Sequence, residues 1–278
     1  MFDLTKLPAE RQLPTQWQYH NEQQRYYYLA GKKVAASTCG LNPYHPYALE
    51  FAAGITPELN EAKQEEIFAQ ILTELEQAAT KQGVSALLTK DYAPQLVFNN
   101  LAQKHGFKLI RKTIEPEMPF ALIPQQQVVV PDGCRIATFD EIADDSAMLK
   151  KFSRLNYEVY RQNHLANPVM PYSAAKWDAI TFTDFLKDAP LLILRNAKIL
   201  AYNFLFADKK ETLSVVWMGG KPEYLDLLQK VQLNWGRTRF SKFAGEFDST
   251  DKLAARFYRL LPFDLCPVYE TFKKELTD

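Results

Sequence analysis

The chain has 278 residues, 47% of them hydrophobic and 13% aromatic, which is enough apolar material for one large packed domain or two ordinary ones and too much for a disordered chain. Lys+Arg and Asp+Glu both number 33, so the formal net charge is zero and no global field favours nucleic acid or an anionic membrane surface. No apolar run approaches the roughly 18 residues a membrane span requires, and the three scattered cysteines, Cys39, Cys134 and Cys266, match neither a disulfide framework nor a metal-ligand spacing.

Met1 to Lys6 lack the basic and apolar regions of a secretory signal, and the cysteine usage fits a reducing cytoplasm, so a cytoplasmic chain is expected. After a polar lead, Arg25–Ala30 and Lys33–Ser37 flank Gly31-Lys32 and predict a hairpin. Tyr47–Gly54 is the next strand. Ile67, Ile71, Leu72, Leu75 and Ala78 then recur at helical spacing, with Gly83 where a C-terminal cap belongs. Ser85–Thr89 predicts a strand, Gln95–His105 a helix, and Gly106–Ile110 a strand.

Pro116, Pro119, Pro124 and Pro131 punctuate a stretch of linker composition around Gln125–Gly133. The expected division is therefore a first domain over 1–124, a linker over 125–133 and a second domain over 134–278, with Val128–Val130 as an edge strand in the alternative of one continuous domain. The second half restarts with a strand at Cys134–Thr138. A long amphipathic helix follows, bearing Met148, Phe152, Leu155 and Val159. A second helix is expected over Ala174–Phe185. Pro190–Arg195, Lys198–Phe206 and Thr212–Trp217 form an antiparallel meander turned at Asn196-Ala197 and Asp208-Lys209-Lys210. A helix over Tyr224–Trp235, a strand end at Phe247–Thr250, a helix over Asp251–Leu261 and a strand at Leu265–Glu270 close the chain.

The final strand–helix–strand repeats an upstream one. Gly106-Phe107 and Pro262-Phe263 both join a helix to a strand; five residues before each phenylalanine stand Ala102 and Tyr258 respectively. This element order resembles that of the GNAT N-acyltransferase fold. Trp217–Tyr224, Phe247–Thr250 and Leu265–Glu270 are similar to the FemAB-like branch. The resemblance implies an α/β (α+β) protein of two tandem GNAT-like domains, each a mixed, mostly antiparallel sheet flanked by helices. The first would be truncated and non-catalytic.

The same resemblance implies acetyl-CoA as co-substrate, without a metal, and a small-molecule or peptide amine as acceptor. Val216, Trp217, Met218, Gly219, Gly220 and Lys221 would hold the co-substrate, with strand N–H groups polarising the thioester carbonyl. The family's Arg/Gln-x-x-Gly-x-Gly/Ala loop is matched neither by Gly54–Asn60 nor by Gly219–Glu223. The glycine pair reads as a phosphate cradle or as a plain strand-to-helix turn. Tyr258 is placed as general acid toward the departing thiolate. Glu246 and Asp248 are candidate amine proton acceptors, Asp248 alternatively a helix cap. Tyr157, Tyr160 and Arg161, with His164 nearby, would line the acceptor side. His20, His45 and His105 have no partner at catalytic spacing and read as surface or satisfied histidines. Two alternatives stand beside this reading: an inactive GNAT-fold binding protein, and aminoacyl transfer from a charged tRNA. Zero net charge and the lack of a basic hairpin speak against the second. A monomer or homodimer is expected.

Overall fold

The computed structural model describes residues 25–93, 101–208 and 211–276. The polar lead with His20, the first part of the helix expected over Gln95–His105, and Lys209-Lys210 lie outside the described residues. The chain divides into two compact units that are not contiguous in sequence. Unit 1 takes the residues up to Lys112, Ala166–Met170 and those from Pro267 onward, and unit 2 takes Thr113–Leu165 and Pro171–Cys266.

In unit 1, β1 (Arg25–Leu29) and β2 (Lys32–Leu41) form the expected hairpin. Its turn is Ala30-Gly31, one residue earlier than read, and both residues sit at positive φ (48° and 76°), the backbone that matches strand twist in a two-residue turn. β3 (Leu49–Ile55) pairs antiparallel with β2, and β4 (Ala86–Ala93) pairs parallel with β3 over Leu49–Phe51. Between them runs α1 (Glu61–Gln82). Asn60 caps its start by accepting from Lys63 N–H at 2.9 Å, and Gly83 at φ 70° ends it in the left-handed conformation expected of it. Phe68, Ile71, Leu72 and Leu75 bury one face of α1 against Phe51, Leu87, Phe107 and Phe272. Each fully buried side chain of this size contributes about 1.5–3 kcal/mol.

The sheet order in unit 1 is β1-β2-β3-β4-β13-β5, where β5 is Lys108–Ile114 and β13 is Val268–Glu275. The sequence reading closed the second half with this last strand. It pairs instead antiparallel with β4, from Val268 opposite Ala93 to Glu275 opposite Ala86, and sends Phe272 into the core around Phe68. Consecutive elements usually neighbour one another, and here burial of Phe272 prevails over that tendency.

Unit 2 holds a six-stranded sheet ordered β6-β11-β10-β9-β8-β7. β7 (Cys134–Ala137), β8 (Leu192–Arg195), β9 (Lys198–Asp208) and β10 (Thr212–Gly220) are antiparallel, which gives the predicted meander, with Asn196 at φ 53° in its first turn. β11 (Lys242–Gly245) runs parallel to β10, and β6 (Glu117–Pro119) covers its far edge antiparallel. The strand read at Phe247–Thr250 is thus preceded by β11, and only Phe247–Asp248 is extended, as β12, paired with Ile114 and Thr113. The helices are α2 (Ser146–Asn163), α3 (Ala174–Thr181, shorter than read), α4 (Pro222–Arg237) and α5 (Lys252–Tyr258).

Phe152, Tyr202 and Phe204 pack on one side of this sheet, and Phe120, Leu213, Phe243 and Phe257 form a second cluster. Beneath α4, Asn203 Nδ2 donates to Gln232 Oε1 at 2.6 Å while Gln232 Nε2 donates to the carbonyls of Pro190 and Asn203. The start of the linker-like segment is fastened to α4. Asn234 donates to Gln126 O and accepts from Gln126 N–H (2.8 and 3.0 Å), and Arg237 donates to the Phe120 and Ile123 carbonyls. Val128–Val130 adopt no strand. Among the described residues, no helix is long and apolar enough to cross a membrane, and no group of His, Cys, Asp or Glu is arranged to hold a metal ion.

Candidate active site

The site in unit 2 begins with an irregularity in β10. Val215 stands opposite Leu205 and Met218 opposite Asn203, so Val216 and Trp217 together face Phe204. This is a β-bulge, one extra residue that turns the strand and re-aims its groups. Parallel pairing with β11 stops at the same point, Val215 opposite Gly245, and Glu246 N–H donates back to Val215 O at 3.3 Å. Where the two strands part, a cavity of about 260 Å³ opens, lined by Val216, Trp217 and Met218 on one side and by Glu246, Asp248 and Asp251 on the other.

One face of α2 closes it. Asn156, Val159, Tyr160 and Asn163 follow at spacings of three and four and all line the cavity, with His164 just beyond. Tyr160 is stacked on His164 (4.0 Å between ring centroids), approaches Trp217 edge-on at 6.2 Å, and leans on Trp177 at 5.1 Å. Trp177 Nε1 donates to Asn156 Oδ1 at 2.9 Å, which fixes the amide under the aromatic wall. Asn156 Nδ2 in turn reaches the Tyr202 hydroxyl at 3.4 Å. Burial drives the Tyr202 phenol far above its ordinary pKa, so it stays neutral.

Asp251 caps α5: its Oδ1 accepts from the N–H groups of Leu253 and Ala254 (2.8 and 3.1 Å), and its Oδ2 accepts from Asn163 Nδ2 at 2.7 Å. Burial raises the carboxyl above its usual value, the two N–H groups pull it back, and the negative charge of Asp248 adds to the rise. The cap offered by the sequence for Asp248 therefore belongs to Asp251. Asp248 instead accepts from the Thr113 hydroxyl.

The glycine pair has a packing explanation. A Cβ on Gly219 would lie 2.5 Å from the Tyr202 ring, and one on Gly220, at φ 115°, would run into the Leu200 carbonyl oxygen. Both glycines let β10 pass close over β9 at the residues before α4. Lys221 is the N-cap of α4 and makes no side-chain cap bond; Pro222 follows, and Glu223 puts a negative charge in the first turn. The N–H groups of Tyr224 and Leu225 are bonded to the Lys221 carbonyl at 3.1 and 2.9 Å and Pro222 has none, so what this helix start offers an anion is the positive end of its dipole and the Lys221 ammonium, against the charge of Glu223.

Of the other expected residues, Tyr258 lies on α5 with its ring stacked flat on Phe263 (5.5 Å, 6°) and tilted on Phe247 at 5.6 Å; it is not among the residues lining the cavity. Tyr157 and Arg161 occupy the neighbouring face of α2. The Tyr157 hydroxyl accepts from Tyr172 N–H at 3.1 Å, and the Arg161 guanidinium sits 5.7 Å from the Tyr157 ring centroid. The structure thus gathers Val216, Trp217, Met218, Glu246, Asp248 and Tyr160 around one cavity, and places Gly219, Gly220, Lys221, Tyr157, Arg161 and Tyr258 outside its lining. Asn156, Asn163, Tyr202 and Asp251 were missed. Asn156 and Asn163 had a signal: polar residues seven apart on the buried stripe of an amphipathic helix.

No family model matches the sequence, and no curated protein matches it. Solved structures do. A GCN5-related N-acetyltransferase from Sphaerobacter thermophilus superposes with a TM-score of 0.60 at 15% identity, over 89% of this chain and 78% of that one. A tandem GNAT protein from the clavulanic acid biosynthesis pathway gives 0.54 at 11% identity, over 92% and 84%. At such identities the likeness is one of fold: with two mixed sheets flanked by helices, this chain has the fold of the GCN5-related N-acetyltransferases.

Proposed function

We propose that the chain is an acyl-CoA-dependent N-acyltransferase, with acetyl-CoA as co-substrate and an amine as acceptor. The observation that carries this reading is the bulge at Val216–Trp217 beside the point where β10 and β11 part, because it opens backbone and side-chain groups onto a cavity that carries carboxylates. When bound, acyl-CoA supplies an activated acyl group as a thioester. Lys221 and the start of α4 would hold its phosphates. N–H groups of the bulged segment are suited to orient a carbonyl. Glu246 and Asp248 would take the proton that the amine must lose, directly or through water. Tyr258 would hold a phenolic proton for the sulfur, and its stacking on Phe263 fixes the ring. A cytoplasmic setting and a monomer or homodimer belong to the same reading.

Calorimetry of the folded chain with acetyl-CoA tests this reading, and absence of binding would overturn it. Tyr258→Phe should cut turnover about 10²-fold while leaving the acetyl-CoA-induced rise in melting temperature intact. Equal turnover would remove Tyr258 from the mechanism. A second reading, a GNAT-fold binding protein without transferase activity, draws on the glycine pair, whose smallness is already used against Tyr202 and Leu200. It predicts ligand-induced stabilisation with no acyl transfer to any amine.

A further inference from the structure

We infer that the acceptor taken by the unit 2 cavity is a cationic amine carrying no carboxylate or phosphate of its own, an inference that rests on assigning this cavity to the acceptor side of an acyl-transfer site. The cavity is one-sided in charge. Glu246, Asp248 and Asp251 reach it from the segment between β11 and α5, and among the described residues none that lines it is a lysine or arginine. Its basic side chain, His164, lies stacked on Tyr160 with Nδ1 2.8 Å from the Tyr160 carbonyl oxygen. On α5, Arg256 gives two donors to Asp226, at 3.0 and 2.6 Å.

The wall facing the carboxylates is aromatic. Tyr160 and Trp217 both line the cavity, and Trp177 braces the pair from behind at 5.1 and 6.4 Å. A ring face attracts an ammonium and repels a carboxylate. Glu246 is exposed and Asp248 and Asp251 are half-buried, so discrimination by sign is screened at the rim and strengthens toward the two aspartates. The crowding of Asp251 by Asp248 is of the same kind and would be relieved by a bound cation. An acceptor with an anionic group would need a cation in the lining to receive it.

Two probes of equal length differ only in the sign at one end: 1,4-diaminobutane and 4-aminobutanoate. Titration calorimetry of the full chain without acyl-CoA should show the diamine binding at least tenfold tighter. Glu246→Gln, at an exposed position, should narrow that ratio at least threefold, and Asp248→Asn, which keeps an acceptor for Thr113, should do the same. Equal or reversed affinities, no binding of either probe, or an unchanged ratio in both variants would overturn the inference. Its failure is separable from that of the acyl-transfer reading. A chain that binds the diamine but not acetyl-CoA keeps this inference and loses that reading, and a chain that binds acetyl-CoA yet prefers 4-aminobutanoate does the reverse.

Discussion

β3 in unit 1 and β10 in unit 2 hold matching places. Each is the last strand of an antiparallel run, and each continues into a parallel pair, with β4 or with β11. β3 pairs with β2 residue for residue, from Leu41 opposite Leu49 to Ala35 opposite Ile55, whereas β10 carries an extra residue against β9. The cavity described above lies at that extra residue. In unit 1 too the parallel pairing ends before the strand does, at Phe51 opposite Thr89, so the junctions differ in the extra residue of β10 and not in whether the strands part.

That contrast can be broken from several sides. The largest expected effects come from the two cores. Phe68→Ala in unit 1 and Phe152→Ala in unit 2 remove fully buried rings and should each cost about 3–5 kcal/mol in denaturant unfolding. Only Phe152→Ala should also weaken cavity ligands, because Phe152 packs against Tyr202 at 5.4 Å; equal ligand affinity in both variants would detach Tyr202 from the site. Gly219→Ala drives a methyl into the Tyr202 ring and should cost about 1–3 kcal/mol by overpacking, and an unchanged unfolding midpoint would show that the ring has room to move.

Deleting Val216 is the most direct test of the comparison. It removes the bulge without shifting the pairs on either side, so β10 would then pair as β3 does. Acetyl-CoA affinity should fall at least tenfold, about 1.4 kcal/mol, with circular dichroism unchanged. Retained affinity would mean that the bulge is incidental.

The smallest effect is a pH dependence. Burial raises the Asp251 carboxyl, so the folded chain binds this proton more tightly than the unfolded one. This contribution to stability is present below the unfolded value, about 4, is lost as pH rises through the folded value, and is flat above it. Asp251→Asn keeps a capping side chain but cannot ionise. Its amide nitrogen meets the Asn163 Nδ2 donor that Asp251 Oδ2 accepts from, a pH-independent cost, so its stability relative to the parent should rise between about pH 4 and pH 7 by what this proton contributes. A difference of the same size at both pH values would assign it to something other than this proton.

Much of the fold was legible because its signals are local. The α1 stripe with its Gly83 cap, the Asn196 turn and the meander each follow from periodicity or turn chemistry within a few residues. β13 was not legible as a unit 1 strand, since its partner β4 is remote in sequence and nothing in Val268–Glu275 names it. The site was half legible. Val216, Trp217, Met218, Glu246 and Asp248 were reached through resemblance to a fold, while Asp251 was overlooked because the choice between two aspartates three residues apart depends on where the helix starts. The bulge has no sequence signature here. Val216 and Trp217 are ordinary strand residues, and only pairing with β9 reveals that one of them is extra.

The placement of β13 has a consequence for how the chain is made. Lys274 Nζ meets Glu76 Oε1 at 2.7 Å across 198 residues of sequence. At about 5–20 residues per second of synthesis, α1 and β4 leave the ribosome on the order of 10–40 s before the strand that covers them exists. During that interval the β4 edge and the hydrophobic slot for Phe272 are open to any extended segment that arrives first. The length of that interval is set by the 198 residues of chain that separate the two partners.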